Sequence, residues 1–244
     1  MAKYVYGIVE TGTSKPRERG IGGAPLGVVA TEDAAALVSE VATGNVRLGR
    51  DEVLLHSKVL ERALSRGPVL PMRFGVVMSD AEEVRRRLLD EHGPELRAQL
   101  AEFAGKVEIR VRATYEEESL LREVLREHPQ IAALRETVRG GSENATYYDR
   151  IRLGELVAAA IQRRREHDAQ TIVDALSPAA LDVEVGEPGH ERVAVQASFL
   201  VERDRMAEFD DTLDKVADQY GGRIRFKLVG PLPPHSFVEL AQRA

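Results

Sequence analysis

Arg73 is the first residue whose type and setting suggest chemistry, standing in the apolar run Gly67-Pro68-Val69-Leu70-Pro71-Met72-Arg73-Phe74-Gly75-Val76-Val77. A guanidinium among apolar neighbours needs a carboxylate, a carbonyl or water, so Arg73 reads as an internal clamp or a contact point, and the clamp is expected. His56 lies four residues after Glu52 on a helical pattern. That spacing suits an ion pair, but no second histidine stands at metal-ligand spacing, and a packed or capping histidine is expected rather than a general base. Gly20-Ile21-Gly22-Gly23 resembles a fragment of a dinucleotide-binding loop. Pro25 and a strand-like run follow it where a phosphate loop requires a helix N-terminus, so a turn is expected. Arg223, Arg225 and Lys227 alternate with Ile224, Phe226 and Leu228, which gives one strand a basic face and an apolar face. The P-loop, HExxH, GxSxG and EF-hand patterns do not occur.

Composition narrows the classes. The 244 residues, 43% hydrophobic and 30% charged, have the balance of a soluble globular protein with one large core or two modest ones. The absence of cysteine removes disulfides, thiolate metal sites and cysteine nucleophiles. A net charge of −6 argues against nucleic acid as the main partner. No apolar run approaches about eighteen residues, and the chain enters a strand at once without a signal-peptide core, so a cytoplasmic protein is expected.

The elements that must position these residues follow from periodicity. Lys3 to Glu10 reads as a buried strand and Leu26 to Ala30 as a short one, while Ala34 to Val41 fits either helix or a hairpin partner. Asp51 to Arg66 reads as a helix capped by Asp51, with Val53, Leu54, Leu60, Ala63 and Leu64 as its apolar stripe. It leads into a single strand, Val69 to Val77, whose Pro71 cannot donate to a ladder and so marks a sheet edge; Leu70, Met72, Phe74 and Val76 face the core. Lys106 to Ala113 is a half-buried strand, and Tyr147 to Leu176 a long helix with the basic cluster Arg163-Arg164-Arg165. Arg192 to Glu202, a helix from Asp204 to Tyr220, and Arg223 to Val229 form a strand, helix, strand unit. The chain closes on Gly230-Pro231-Leu232-Pro233-Pro234-His235-Ser236-Phe237-Val238-Glu239-Leu240, an extended arm that Phe237 and Val238 can anchor.

In order along the chain, Tyr4-Val5-Tyr6-Gly7-Ile8-Val9, Gly20-Ile21-Gly22-Gly23, His56 with the Gly67 to Gly75 block, Phe199-Leu200-Val201-Glu202-Arg203, and Gly230 to Val238 resemble the signature blocks of the gas vesicle GvpF/GvpL family. The resemblance spans nearly the whole sequence. It implies an α+β protein of two domains, the C-terminal one a modified ferredoxin-like fold, with a long connecting helix, and it favours a hairpin for residues 26–41. The boundaries expected are 1–105 for an N-terminal α+β domain and 106–244 for the C-terminal domain, including a helical segment 116–176. It also implies a non-enzymatic accessory or minor structural protein of gas vesicles, without cofactor, acting in the gas vesicle and cytoplasm. Its partners would be the major shell protein and other gas vesicle accessory proteins, with no nucleic acid and no lipid membrane. Arg73, Phe74, Arg223, Arg225, Lys227 and Phe237 are the candidate partner-binding residues. The competing reading is a ferredoxin-like small-molecule-binding protein or enzyme with an anion site near Gly20 to Gly23, drawing on His56 and Arg73.

Overall fold

The computed structural model describes residues 1–14, 17–42, 49–142, 145–190 and 192–238. Helix and strand are mixed, with two antiparallel sheets. The chain forms two compact units, Met1–Ile109 with Leu200–Asp204 and the chain from Val229, and Arg110–Phe199 with Arg205–Leu228. Among the described residues no helix is long and apolar enough to cross a membrane.

In the first unit the sheet order is β2 (Leu26–Ala30), β3 (Ala35–Val41), β1 (Ala2–Val9), β4 (Val69–Pro71), and β5 (Val77–Met78) also pairs with β1. β2 and β3 form the hairpin, with Ala30 opposite Ala35. Alanine-rich β3 takes the strand over the helix that its composition also allows, because a buried position between β1 and β2 outweighs local propensity. One face of the sheet packs Val5, Ile8, Val38 and Leu70 against Val84, Leu89, Leu96 and Leu100. These last come from α2 (Ala81–Glu83), which runs on as a π-helical stretch through Asp90, and from α3 (Gly93–Glu102). Asp80 accepts from the Glu83 amide, and the Glu83 carboxylate accepts from the Ser79 amide, so Asp80 and Glu83 together open this helix.

The expected single strand from Val69 to Val77 is two strands. Gly7 pairs with Pro71 and Tyr4 with Val77, so β1 advances three residues while its partner advances six. The surplus residues loop out of the ladder. Gly75, with φ of +99°, supplies the left-handed backbone that the turn at Phe74 and Gly75 requires. Pro71 and its neighbours do lie at the sheet edge, as their chemistry predicts.

α1 (Arg50–Leu64) is capped by Gly49, whose amide donates to Glu52, rather than by Asp51. Its inner face is His56, Val59, Leu60, Ala63 and Leu64, while Val53 and Leu54 are exposed. The expected stripe was therefore rotated at its N-terminal end.

The second sheet has the order β7 (Asp182–Gly186), β8 (Val193–Glu202), β6 (Lys106–Tyr115), β9 (Ile224–Leu232). The unit boundaries fall within β6, β8 and β9. β6 runs two residues beyond the expected end, and β9 continues past Gly230 to Leu232. β7 had no clear signal, being a short edge strand with little buried surface. α4 (Glu117–Glu127), α5 (Pro129–Gly140) and α6 (Tyr147–Leu176) bury Val124, Ile131 and Ala160 against one another, with Leu156 and Ile161 alongside. α7 (Met206–Gln219) buries Phe209, Leu213 and Val216, its Phe209 ring 5.1 Å from that of Phe199.

Candidate functional site

The first site is built from the alternation of β1. Tyr4 and Tyr6 are two residues apart and so lie on one face, where both are fully buried and their rings are 4.8 Å apart. His56 of α1 stacks on Tyr6 at 5.6 Å and meets Tyr4 and Phe74 edge-on at 5.7 Å each. Its Nδ1 lies 3.0 Å from the Tyr4 hydroxyl and its Nε2 3.2 Å from the Met72 carbonyl. A carbonyl only accepts, so Nε2 carries the proton and Nδ1 accepts from Tyr4. The Tyr4 oxygen in turn accepts from the Gly75 amide at 3.0 Å. Burial, then His235, pull the His56 pKa down to about 4, so the ring is neutral at neutral pH. Burial pushes the Tyr4 phenol up to about 12, which keeps its proton available to His56.

The glycine segment joins the same cluster. Tyr6 Oη lies 2.8 Å from Ser39 Oγ and accepts the Ile21 amide at 2.7 Å. The Gly20 amide goes to Ala24 and the Gly23 amide to Gly20. With those amides spent inside the protein, the segment is a structural turn. His56 does not pair with Glu52, whose carboxylate caps α1. Among the described residues no three histidine, aspartate, glutamate or cysteine side chains could hold a metal ion. The separate sequence blocks 4–9, 20–23, 56 and 67–75 thus meet around one neutral imidazole. Reading the chain element by element missed this convergence, although His56 keeps helical spacing with Val59, Leu60 and Ala63.

This cluster positions Arg73 and Phe74. Met72 is tied to Tyr6 by its amide and to His56 by its carbonyl, and Gly75 is tied to Tyr4. Between these ties Arg73 is exposed, and Phe74 is half-buried against Tyr4 and His56. Arg73 makes no ion pair or hydrogen bond among the described residues. The expected internal clamp is overturned, because the extra residues of the turn carry this side chain out of the sheet.

The basic strand divides. Arg223 points into a polar cluster in the second unit, its side chain only 15% exposed. It donates to Asp168 at 3.0 and 3.2 Å and to Glu123 at 2.9 Å, and it lies over the Tyr220 ring. Asp168, buried on α6, also accepts from Tyr115 at 2.7 Å and Arg164 at 3.3 Å. Arg164 donates on to Glu127. Arg223 is therefore an internal clamp and not part of an open ladder, and Arg164 of the arginine cluster joins it. Arg225, paired with Glu116, and Lys227 are exposed as expected. The spacing of Asp168 with Ile172 and Leu176, both buried, was the available signal for the cluster.

Phe237 packs against the core of the first unit, next to the fully buried Val238. Ser236 fixes the arm, its amide and hydroxyl donating to the buried Glu108 carboxylate at 2.7 and 3.0 Å. Glu239 and Leu240, the rest of the expected arm, lie outside the described residues.

The model of the gas vesicle synthesis protein GvpL/GvpF family matches residues 2–239. Gas vesicle protein F of Streptomyces sp. (strain CB03234) is 39% identical over 98% of this chain and 100% of its own. The crystal structure of GvpF from Anabaena sp. PCC7120 superposes with a TM-score of 0.79 at 23% identity, over 97% of this chain and 95% of that one. GvpF from Microcystis aeruginosa gives 0.76 at 22% identity, over 97% and 98%. The crystal structures share the fold, and the end-to-end sequence match goes further: the chain belongs to the gas vesicle synthesis protein GvpL/GvpF family.

Proposed function

We propose that this protein is a non-enzymatic accessory or minor structural protein of gas vesicles, which binds the shell protein and other accessory proteins as the vesicle is assembled. The family match over residues 2–239 is the observation that carries this reading. The chemistry of the sites agrees with it. The one buried histidine is neutral with both ring nitrogens spent on Tyr4 and Met72, which leaves it no free lone pair or proton for a substrate. The competing anion site at Gly20 to Gly23 lacks support, since the Gly20, Ile21 and Gly23 amides are engaged and Arg73 points to solvent.

In this reading Arg73 and Phe74 form one contact point, held in shape by the His56 cluster, and Arg225 and Lys227 form another. Arg223 and Phe237 contribute by fixing the strand and the arm behind these surfaces. The protein works in the cytoplasm and at the gas vesicle, without a cofactor. The ferredoxin-like reading of the C-terminal domain is supported by strand order: β8, α7 and β9 flank β6 as a split strand, helix, strand unit, and the order β7-β8-β6-β9 is the one that this fold takes.

The test is co-expression with the shell protein and the other accessory proteins, followed by flotation and detection of this chain in washed vesicles. Recovery there supports a structural role, and recovery only in soluble complexes with gas vesicle proteins supports an assembly factor. Recovery in neither overturns the proposal.

A further inference from the structure

β6 and β9 are neighbours in the second sheet, and their alternation sends Arg110, Arg112 and Thr114 of one and Arg225 and Lys227 of the other away from the buried positions. Like charges on adjacent strands repel, so a sheet that gathers them gives up stability. The strands do not stand alone in this. Arg122 from α4 and Arg192 ahead of β8 line the same groove, whose volume is about 790 Å³. Five cations, Arg112, Arg122, Arg192, Arg225 and Lys227, thus share it with one carboxylate, Glu116, which pairs with Arg225. This occurs on a chain of net charge −6. Arg122 and Arg192 have interactions of their own, whereas Arg112 and Lys227 have no ion pair among the described residues.

We propose that this groove docks a short acidic segment of a partner protein through its carboxylates. Four of the five cations are arginines, whose planar forks match a carboxylate with two parallel hydrogen bonds. The Thr114 and Ser119 hydroxyls on the same walls add donors for a peptide backbone. The volume falls within the range of about 300–1,000 Å³ typical of clefts that hold a small ligand, which suits a few residues and not a folded domain. A nucleic acid is the weaker fit. Among the described residues that line the groove no open aromatic ring offers a base a stacking surface, since Tyr115 is buried with its hydroxyl given to Asp168. A long polyanion would also run from the groove onto a surface of net negative charge, which a short segment need not do. The inference rests on the accessory-protein reading and names the chemistry of the partner surface that such a protein recognises.

The probe is fluorescein-labelled hexaglutamate, titrated by anisotropy with the full-length protein at about 20 mM salt and again at about 300 mM, where screening shortens electrostatic reach. Binding at low salt that weakens at high salt is expected, with hexalysine inert. Arg112→Glu with Lys227→Glu should weaken binding about tenfold or more, while Arg139→Glu on α5 leaves it unchanged. If the reversal lowers the melting temperature, Arg112→Gln with Lys227→Gln gives the same reading with less strain. No hexaglutamate binding at low salt, binding by the groove variants as tight as that of wild type, or binding of single-stranded RNA or polyphosphate in its place overturns the inference. The flotation result separates this from the broader reading. Vesicle association without hexaglutamate binding removes the groove and leaves the accessory role, and groove binding without any association with gas vesicle proteins does the reverse.

Discussion

His56 Nε2 donates to the Met72 carbonyl across 3.2 Å, and this bond ties helix α1 to the point where the chain leaves the sheet. With Nδ1 accepting from Tyr4, the arrangement is complete only for a neutral ring. A proton on Nδ1 would face the Tyr4 oxygen, already an acceptor for Gly75, and would displace the Tyr4 proton from its partner.

Stability should therefore fall with acid. The His56 pKa is about 4 folded, against 6.5 for the free side chain. Between those values the unfolded chain binds more protons, so its contribution is fully present above pH 6.5 and is lost as the pH falls through 4. The loss is about 3 kcal/mol at most. Denaturant unfolding of wild type and His56→Gln at pH 8, 6 and 4 checks it. The variant should be weaker at pH 8 and the gap should narrow by pH 4; a constant gap rules out the neutral-ring argument.

Asp168 should matter more than its single charge suggests. It is buried and accepts from Tyr115, Arg164 and Arg223 together. Asp168→Asn keeps the shape but leaves two guanidinium groups short of charge in a partly desolvated place, and breaking such a pair costs about 3–5 kcal/mol. Tyr115→Phe removes one hydrogen bond to the same carboxylate and should cost less, about 1.5–3 kcal/mol. Chemical denaturation of both variants tests the ranking, which a solvated, weakly coupled cluster would not produce.

The sequence was most readable where a local period decides the outcome. The alternation of β8, the spacing along α6 and the Gly221-Gly222 stop after α7 each follow from neighbours in the chain. Residues 69–77 were less readable because their break comes from β1: only the pairing of Gly7 with Pro71 and Tyr4 with Val77 creates a surplus to expel. Arg73 then follows the turn rather than the alternation. Arg223 went the other way, since its partners lie 55 and 100 residues distant on α6 and α4. Periodicity assigned both arginines to a face but held no information about the carboxylates, or the lack of them, opposite.

Gly20 should not tolerate a side chain. A Cβ there would lie 2.5 Å from Tyr6 Oη and 2.7 Å from Ser39 Cβ. The Tyr6 hydroxyl has little room to yield, being held by both Ser39 and Ile21. Gly20→Ala should cost about 1–3 kcal/mol, the usual range for overpacking. Gly22→Ala, where a Cβ meets nothing within 4 Å, should be destabilising only through its positive φ of 70°. A thermal melt of the two variants separates crowding from backbone strain, and equal losses would show that the Tyr6 contact yields freely.

Arg73→Ala should leave stability nearly unchanged. The side chain is exposed and has no partner among the described residues, so the effect should stay within about 0.5 kcal/mol. If the turn is a contact point, the same variant should lose recovery in washed vesicles while melting like wild type. Phe74→Ala is the necessary comparison, because Phe74 packs on His56 and Tyr4 and its loss should lower the melting temperature as well. Reduced vesicle recovery by Phe74→Ala alone would place the effect in the support of the turn. Reduced recovery by Arg73→Ala at full stability would place it in the guanidinium itself.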